Sequence, residues 1–320
     1  VIPVGTAQDI ALSVVQQADG KLVVAGYNVN AGSRMALVRL NTDGSLDPSF
    51  NGTQTLGGAV AFIEGGAAVT LDADVQAIDP QLAVLNSGSG NYSGATLTLA
   101  RSGGANAQDV FSFNSTGALF TVSGSNLQSG GQTFATFTQA GGTLSVNFTS
   151  SATTATQALV NDVARHIQYS NSSSTPPASV TLDWTLNDGN TGSQGTGGAL
   201  SATGSTVVNI TAVNDAPTLT GVPGAALGVT TGVAAALANF SVADVDSANL
   251  TVTLTASNGT LGGLTGWTVS GAGNNIYSKT DTQANLNTEI AGATFTAVAA
   301  GAASIGISVD DGAASAVTGM

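Results

Sequence analysis

The residues in this chain best suited to chemistry are its carboxylates. Nineteen acidic residues stand against six basic ones, a net charge of −13, and seventeen of the acids are aspartate, Glu64 and Glu289 being the others. Aspartate favours turns and caps where glutamate favours helix interiors, so the bias puts carboxylates on loops, where a hard cation can collect several oxygens. Calcium is the natural candidate, because it accepts about 6 to 8 oxygen ligands in flexible geometry. Asp244 and Asp246 flank one residue, which on an extended segment places both carboxylates on one side. An acidic surface that keeps a weakly charged protein soluble accounts for the same composition. Asn214-Asp215 ahead of Pro217 also has the residue types of a plain turn.

Other chemistries find less material. His166 is the only histidine and falls on the polar face of a helical stretch, and no Gly-x-Ser-x-Gly elbow accompanies it, so a Ser/His/Asp triad is not expected. Without cysteine there are no disulfides, thiolate metal sites or Cys nucleophiles. Asp183 and Asp188 could serve as a carboxylate pair for glycoside hydrolysis only if they lined a groove, and Asp-rich turns are common in this chain. Asn41, Asp43, Ser45 and Asp47 have the alternate spacing of a calcium loop, but Gly44 stands in the wrong place for an EF-hand, so the segment reads as a turn. The Gly-rich stretch 195–198 lacks the strand and helix of a phosphate-binding loop. The acidic balance argues against nucleic acid as a partner. No run reaches the ~18 to 20 apolar residues of a membrane helix. The expectation is a protein that is not an enzyme.

The elements that must position the acids come in copies. Thr156-Gln157-Ala158, Asn161, Tyr169 and Asn187-Asp188-Gly189 return as Thr282-Gln283-Ala284, Asn287, Phe295 and Asp310-Asp311-Gly312, and the step from Gln157 to Gln283 equals that from Tyr169 to Phe295. Such register identifies related modules, with Val213-Asn214-Asp215-Ala216-Pro217 as a hinge between them. Aromatic residues make up 5% and charged residues 8% of the chain, with Gly, Ala, Ser, Thr, Asn and Val dominant, the mixture of many short strands and tight turns. Repeated apolar and polar alternation and positive mean hydropathy argue against disorder. Strand patterns lie around 95–100, 110–113, 119–122, 133–138, 144–148, 206–213 and 250–254. Val180, Leu182, Trp184 and Leu186 alternate with polar residues. One helix is expected after Thr154, with Leu159, Val160, Val163 and Ile167 on its apolar face, and a second near 284–290.

The fold class expected is therefore mostly β, tandem sandwiches each with one short helix, preceded by a small blade. The divisions fall at 1–55, 56–214 and 215–320, the last lacking its final strand by comparison with the module before it. The chain begins at Val1 rather than Met, so it reads as a mature or partial segment, any secretion signal lying outside it.

Two resemblances sharpen this. Gln17-Ala18-Asp19-Gly20-Lys21, Val23-Val24-Ala25-Gly26, Arg39-Leu40-Asn41 and Gly44-Ser45-Leu46-Asp47-Pro48-Ser49-Phe50 closely resemble the delta-sixty repeat family over about residues 7–52. Its members occur in tandem as propeller-like blades, and one blade alone cannot close a propeller. Phe62-x-Glu64-Gly65-Gly66, Asn214-Asp215-Ala216-Pro217, Ala243-Asp244-Val245-Asp246 and Asp310-Asp311-Gly312 resemble the bacterial cadherin-like repeats of large RTX-type adhesins over about 57–320. That resemblance implies calcium at module ends, with Glu64, Asn214, Asp215, Asp244, Asp246 and Asp311 as preferred ligands and Asp72, Asp74, Asp79, Asp183 and Asp188 as further ones. It implies a secreted, cell-surface or matrix protein, structural or adhesive, stiffened by calcium. Such a protein is a filament subunit assembling by strand exchange or a stalk segment of one giant adhesin. Its partners are copies of itself, neighbouring modules, surface polysaccharide, or a host or abiotic surface. An accessory region of a secreted carbohydrate-active enzyme is the remaining reading, and the row of exposed aromatics it calls for is absent from the pattern around Trp184 and Trp267.

Overall fold

The computed structural model describes residues 9–17, 20–28, 34–40, 42, 58–191, 198–237 and 240–320. The closing phrase of the blade, 44–50, the loop residues Asn41, Asp43, Ser45 and Asp47, and residues 195–197 of the Gly-rich stretch 195–198 lie outside the described residues. The chain divides into two compact units, the first of residues 1–62, 66–171 and 179–209, the second of 63–65, 172–178 and 210–320.

The first unit begins with an antiparallel meander of β1 (Asp9–Gln16), β2 (Leu22–Asn28) and β3 (Arg34–Leu40). Then come β4 (Ala59–Ile63), β5 (Val69–Thr70), the one-turn α1 (Pro80–Ala83), β6 (Thr96–Arg101), β7 (Asp109–Phe113), β8 (Thr121–Ser123), β9 (Asn126–Ser129), β10 (Gln132–Ala140) and β11 (Thr143–Phe148). They are followed by α2 (Gln157–Arg165), β12 (Ile167–Asn171), β13 (Ser179–Asn187) and β14 (Ser201–Thr211). Eight strands run β4-β14-β13-β6-β11-β10-β9-β8, and a second sheet runs β5-β12-β7.

The two sheets meet through aromatic edges. Phe62 on β4 lies 6.0 Å from Tyr169 on β12, and Phe113 on β7 lies 5.0 Å from Phe137 on β10, both T-shaped. Alternation along β13 buries Val180, Leu182 and Trp184 while Asp183 stays exposed, the period-2 pattern of a sheet with one wet face. Trp184 has its indole N–H satisfied inside the core by Thr206 Oγ1 at 3.1 Å.

Helix α2 starts where Thr156 Oγ1 accepts the N–H of Leu159, an N-cap that satisfies one orphan donor of the first turn. Leu159, Val160, Val163 and Ala164 are buried. The helix ends at Arg165, so Ile167 is not its last apolar residue but the first residue of β12, still buried. Apolar periodicity alone does not mark the change from helix to strand, because a buried residue fits either.

The second unit repeats the plan with β15 (Thr218–Thr220), β16 (Ala235–Ala236), β17 (Ser241–Ala243), β18 (Asn249–Ser257), β19 (Gly259–Gly262), β20 (Thr268–Ser270) and β21 (Ile276–Thr282). It continues with α3 (Gln283–Ala291), β22 (Thr294–Ala297), β23 (Ser304–Asp310) and β24 (Val317–Gly319). Its sheets run β15-β17, β16-β22-β19 and β20-β21-β18-β23-β24. Leu250, Val252 and Leu254 of β18 share a core with Leu286 and Ile290 of α3, Trp267 and Phe295. The sequence comparison predicts that this module lacks its final strand, and the structure instead has β24 there, three residues paired antiparallel to β23 as β14 is to β13.

The tripeptides that end β13 and β23 fold alike. Asn187 Oδ1 accepts the N–H of Gly189 at 2.9 Å and Asp310 Oδ1 that of Gly312 at 2.7 Å. Both glycines have positive φ, 63° and 82°, which explains the residue type at the third position.

Candidate functional site

The six preferred ligands meet within the second unit. Glu64 directly follows β4; its N–H donates to Thr211 O at 3.0 Å and its Oε2 accepts the N–H of Val213 at 2.9 Å. One residue further on, Asn214 Nδ2 donates to Asp311 Oδ2 at 2.6 Å and to Asp215 O at 2.8 Å. The N–H of Asp215 donates to Asp246 Oδ2 at 2.7 Å. Asp311 Oδ1 accepts from Ala313 and Ala314, each at 2.8 Å. The hydrogen bond from Asn214, then that from Ala313, holds the Asp311 carboxyl below the usual carboxylate range.

Asp244 and Asp246 sit differently from the extended geometry expected of them. Asp244 Oδ1 accepts the N–H of Asp246 at 2.8 Å and of Ser247 at 2.7 Å, so the chain turns immediately after β17. Their approach is set by an Asx-type turn, not by strand alternation, because a short carboxylate next to free backbone N–H groups captures them.

Three oxygens of this assembly are left over. Glu64 Oε1, Asp215 Oδ2 and Asp244 Oδ2 are buried with no hydrogen-bond partner, and among the described residues they are the side-chain polar atoms in that condition. A buried oxygen without a donor costs roughly 1–3 kcal/mol, more when charged, and a bound cation removes that cost. Among the described residues no three acidic, histidine or cysteine side chains close on one point. The acids are joined instead through backbone N–H groups and Asn214. The donor set is all oxygen, several of them carboxylate, which fits calcium better than a softer metal.

The remaining candidates belong to the first unit. Asp72 is buried and its Oδ1 accepts the N–H of Asp74 at 3.1 Å, the same kind of turn that Asp244 makes. Asp79 is the N-cap of α1, its Oδ1 accepting from Gln81 at 2.8 Å and Leu82 at 2.7 Å. Asp188 is buried and its Oδ1 accepts from Asn190 at 3.0 Å and Leu200 at 2.9 Å, while Asp183 is exposed on β13. His166 is the C-cap of α2, its Nδ1 2.7 Å from Asp162 O and its ring edge-on to Phe120.

Gln283 and Asn287 stand outside the acidic motifs, yet Gln283 accepts the N–H of Asp244. The phrase these two residues share with Gln157 and Asn161 was the available signal.

A family model described as "Domain of unknown function (DUF5122) beta-propeller" matches residues 17–50. No curated protein matches the chain. Among solved structures, the protocadherin gammaB4 extracellular domain is similar at 14% identity and a TM-score of 0.22, over 98% of this chain and 44% of that one, so the chain spans less than half of its length. Mouse protocadherin-24 EC1-3 is similar at 10% identity and a TM-score of 0.23, over 93% of this chain and 77% of that one. Among the described residues no helix is long and apolar enough to cross a membrane.

Proposed function

We propose that this chain is a segment of a secreted structural or adhesive repeat protein of the bacterial surface or matrix, and that its second unit takes up calcium. One observation carries the calcium reading: among the described residues, the buried side-chain oxygens without a hydrogen-bond partner are those of Glu64, Asp215 and Asp244, three of the acids the sequence motifs single out. These three would supply ligands directly. Asp246 and Asp311 bring further carboxylates, and Asn214 bridges to Asp311. Bound there, calcium would neutralise the acids and hold the 213–215 segment to the turn after β17 and the loop after β23. The role is mechanical, with no residue assigned to catalysis.

Isothermal titration of the purified chain with calcium, paired with thermal unfolding in chelator, tests this. Saturable binding and a higher Tm are expected; a ligand present at 100 times its Kd adds about 2.7 kcal/mol. No heat of binding and no Tm change would sink the reading.

Two forms of this reading remain, a filament subunit assembling by strand exchange and a stalk segment within one longer adhesin. Negative-stain microscopy with millimolar calcium and with chelator distinguishes the two: ordered filaments support assembly, and monodisperse particles under both conditions remove it.

A further inference from the structure

We infer that Gln283 and Asn287 of α3 are positioning residues for the calcium site, holding in place the turn that presents Asp244; this rests on the calcium reading above. Asn287 clasps Val242 through both main-chain groups, its Oδ1 accepting the N–H at 2.8 Å and its Nδ2 donating to the carbonyl at 2.9 Å. Gln283, one helical turn earlier, reaches the next part of the segment. Its Oε1 accepts the N–H of Asp244 at 3.2 Å, and its Nε2 donates to Asp244 O at 2.8 Å and to Ser247 O at 2.6 Å. Both ends of the turn are therefore tied to one side chain, on a helix anchored in the core by Leu286 and Ile290. With Asp244 Oδ1 occupied by Asp246 and Ser247, its Oδ2 is the oxygen left to bind a ligand.

The first unit contains the same two residue types in the same helix positions, used otherwise. There Gln157 Nε2 donates to Ala77 O and Asn161 Oδ1 accepts the N–H of Ala77 at 2.8 Å, so both side chains serve a single residue. Tyr92 donates to the Oε1 of Gln157, the acceptor that in the second unit receives Asp244. The phrase is thus a clamp between the helix and a preceding segment of chain in both units, a loop at Ala77 in the first and β17 with the turn after it in the second, and in the second it grips the turn that carries Asp244. Groups that orient a metal ligand typically change affinity 10–100-fold when removed.

Two matched variants of the full chain separate positioning from general stability. Gln283→Met and Gln157→Met each remove one clamp with little change in side-chain volume. Calcium titrations are run on both, well below their melting temperatures in chelator, together with amide exchange of Asp246 and Ser247. Gln283→Met is expected to weaken calcium binding by about 10- to 100-fold and to speed that exchange. Gln157→Met is expected to lower Tm and leave the calcium Kd unchanged. Where Gln283→Met does not fold, Gln283→Glu serves, since it retains the acceptor for Asp244 and loses both donors. Wild-type affinity in the Gln283 variant, or equal weakening in both variants, overturns the inference. A wild-type chain that binds no calcium removes the calcium reading itself and the inference with it.

Discussion

Asn214 and Asp311 stand 97 positions apart in sequence and are joined by a 2.6 Å hydrogen bond from the Asn214 amide to Asp311 Oδ2. That bond is the first cause of the lowered carboxyl pKa of Asp311. A carboxyl whose folded pKa is depressed contributes stability above its unfolded pKa of about 3.9, and the contribution disappears as pH falls. In Asn214→Ala, Asp311 is expected to titrate closer to the ordinary carboxylate range, visible in its carboxyl carbon shift by NMR, while calcium affinity falls. An unmoved Asp311 titration would show that the backbone N–H groups of Ala313 and Ala314 hold the carboxylate without help.

The first unit buries Asp109 completely beneath a network. Arg101 binds both its oxygens, Nε to Oδ2 at 2.8 Å and Nη2 to Oδ1 at 2.6 Å, and Oδ1 also accepts from Tyr169 Oη at 2.7 Å and Asn171 Nδ2 at 3.0 Å. Burial, ahead of the opposing hydrogen bond from Asn171, pushes the Tyr169 phenol up to about 12. Arg101→Met leaves a buried carboxylate without its cation and is expected to cost roughly 3–5 kcal/mol in urea unfolding. Tyr169→Phe removes one donor of several and is expected to cost about 1–2 kcal/mol. Reversal of that order would mean Arg101 is dispensable.

Gly189 and Gly312 close the same tripeptide with different surroundings. A Cβ on Gly189 would lie 2.1 Å from Gly94 O, whereas one on Gly312 meets nothing within 4 Å. Gly312→Ala is expected to cost about 1–2 kcal/mol for the left-handed backbone alone. Gly189→Ala adds a clash with main chain and is expected to cost about 3 kcal/mol or more. Equal losses would place the whole effect in the dihedral angle.

Lys279 bridges Asp281 at 3.1 Å and Glu289 at 2.6 Å, and Glu289 also accepts from the Trp267 indole at 2.7 Å. Asn285, the N–H of Thr282 and then Lys279 lower the Asp281 pKa to about 2. The stabilising contribution of this carboxylate is therefore present above about pH 3.9 and is lost as pH falls through 2. Lys279→Met is expected to raise the Asp281 pKa only partly, since the larger contributions come from Asn285 and Thr282; a full return to the ordinary value in an NMR titration would assign the shift to the lysine.

Local pattern made much of this protein legible. The alternation of Val180, Leu182 and Trp184 announces a strand with one buried face, and the structure puts it in the middle of a sheet. Thr156 and Thr282 ahead of apolar helical stretches mark both helix starts, because a capping hydroxyl acts within one turn of chain. The Asp-Gly and Asn-Asp-Gly phrases locate turns for the same local reason. What the residues could not disclose was how Asp244 and Asp246 sit. Their two-residue spacing is compatible with a strand, and the capture of two backbone N–H groups by Asp244 Oδ1 decided for a turn.

The sequence by itself determined the mostly β composition and the repeated register from Gln157 to Gln283, both of which depend on propensity and period over a few residues. Only the tertiary structure decided that Glu64, the 213–215 segment, the turn after β17 and the loop after β23 come together. It alone decided that Gln283 holds Asp244 where Gln157 holds Ala77. Those outcomes turn on hydrogen bonds between residues many positions apart, and on which oxygens burial leaves without a donor, quantities that exist only once the sheets have packed.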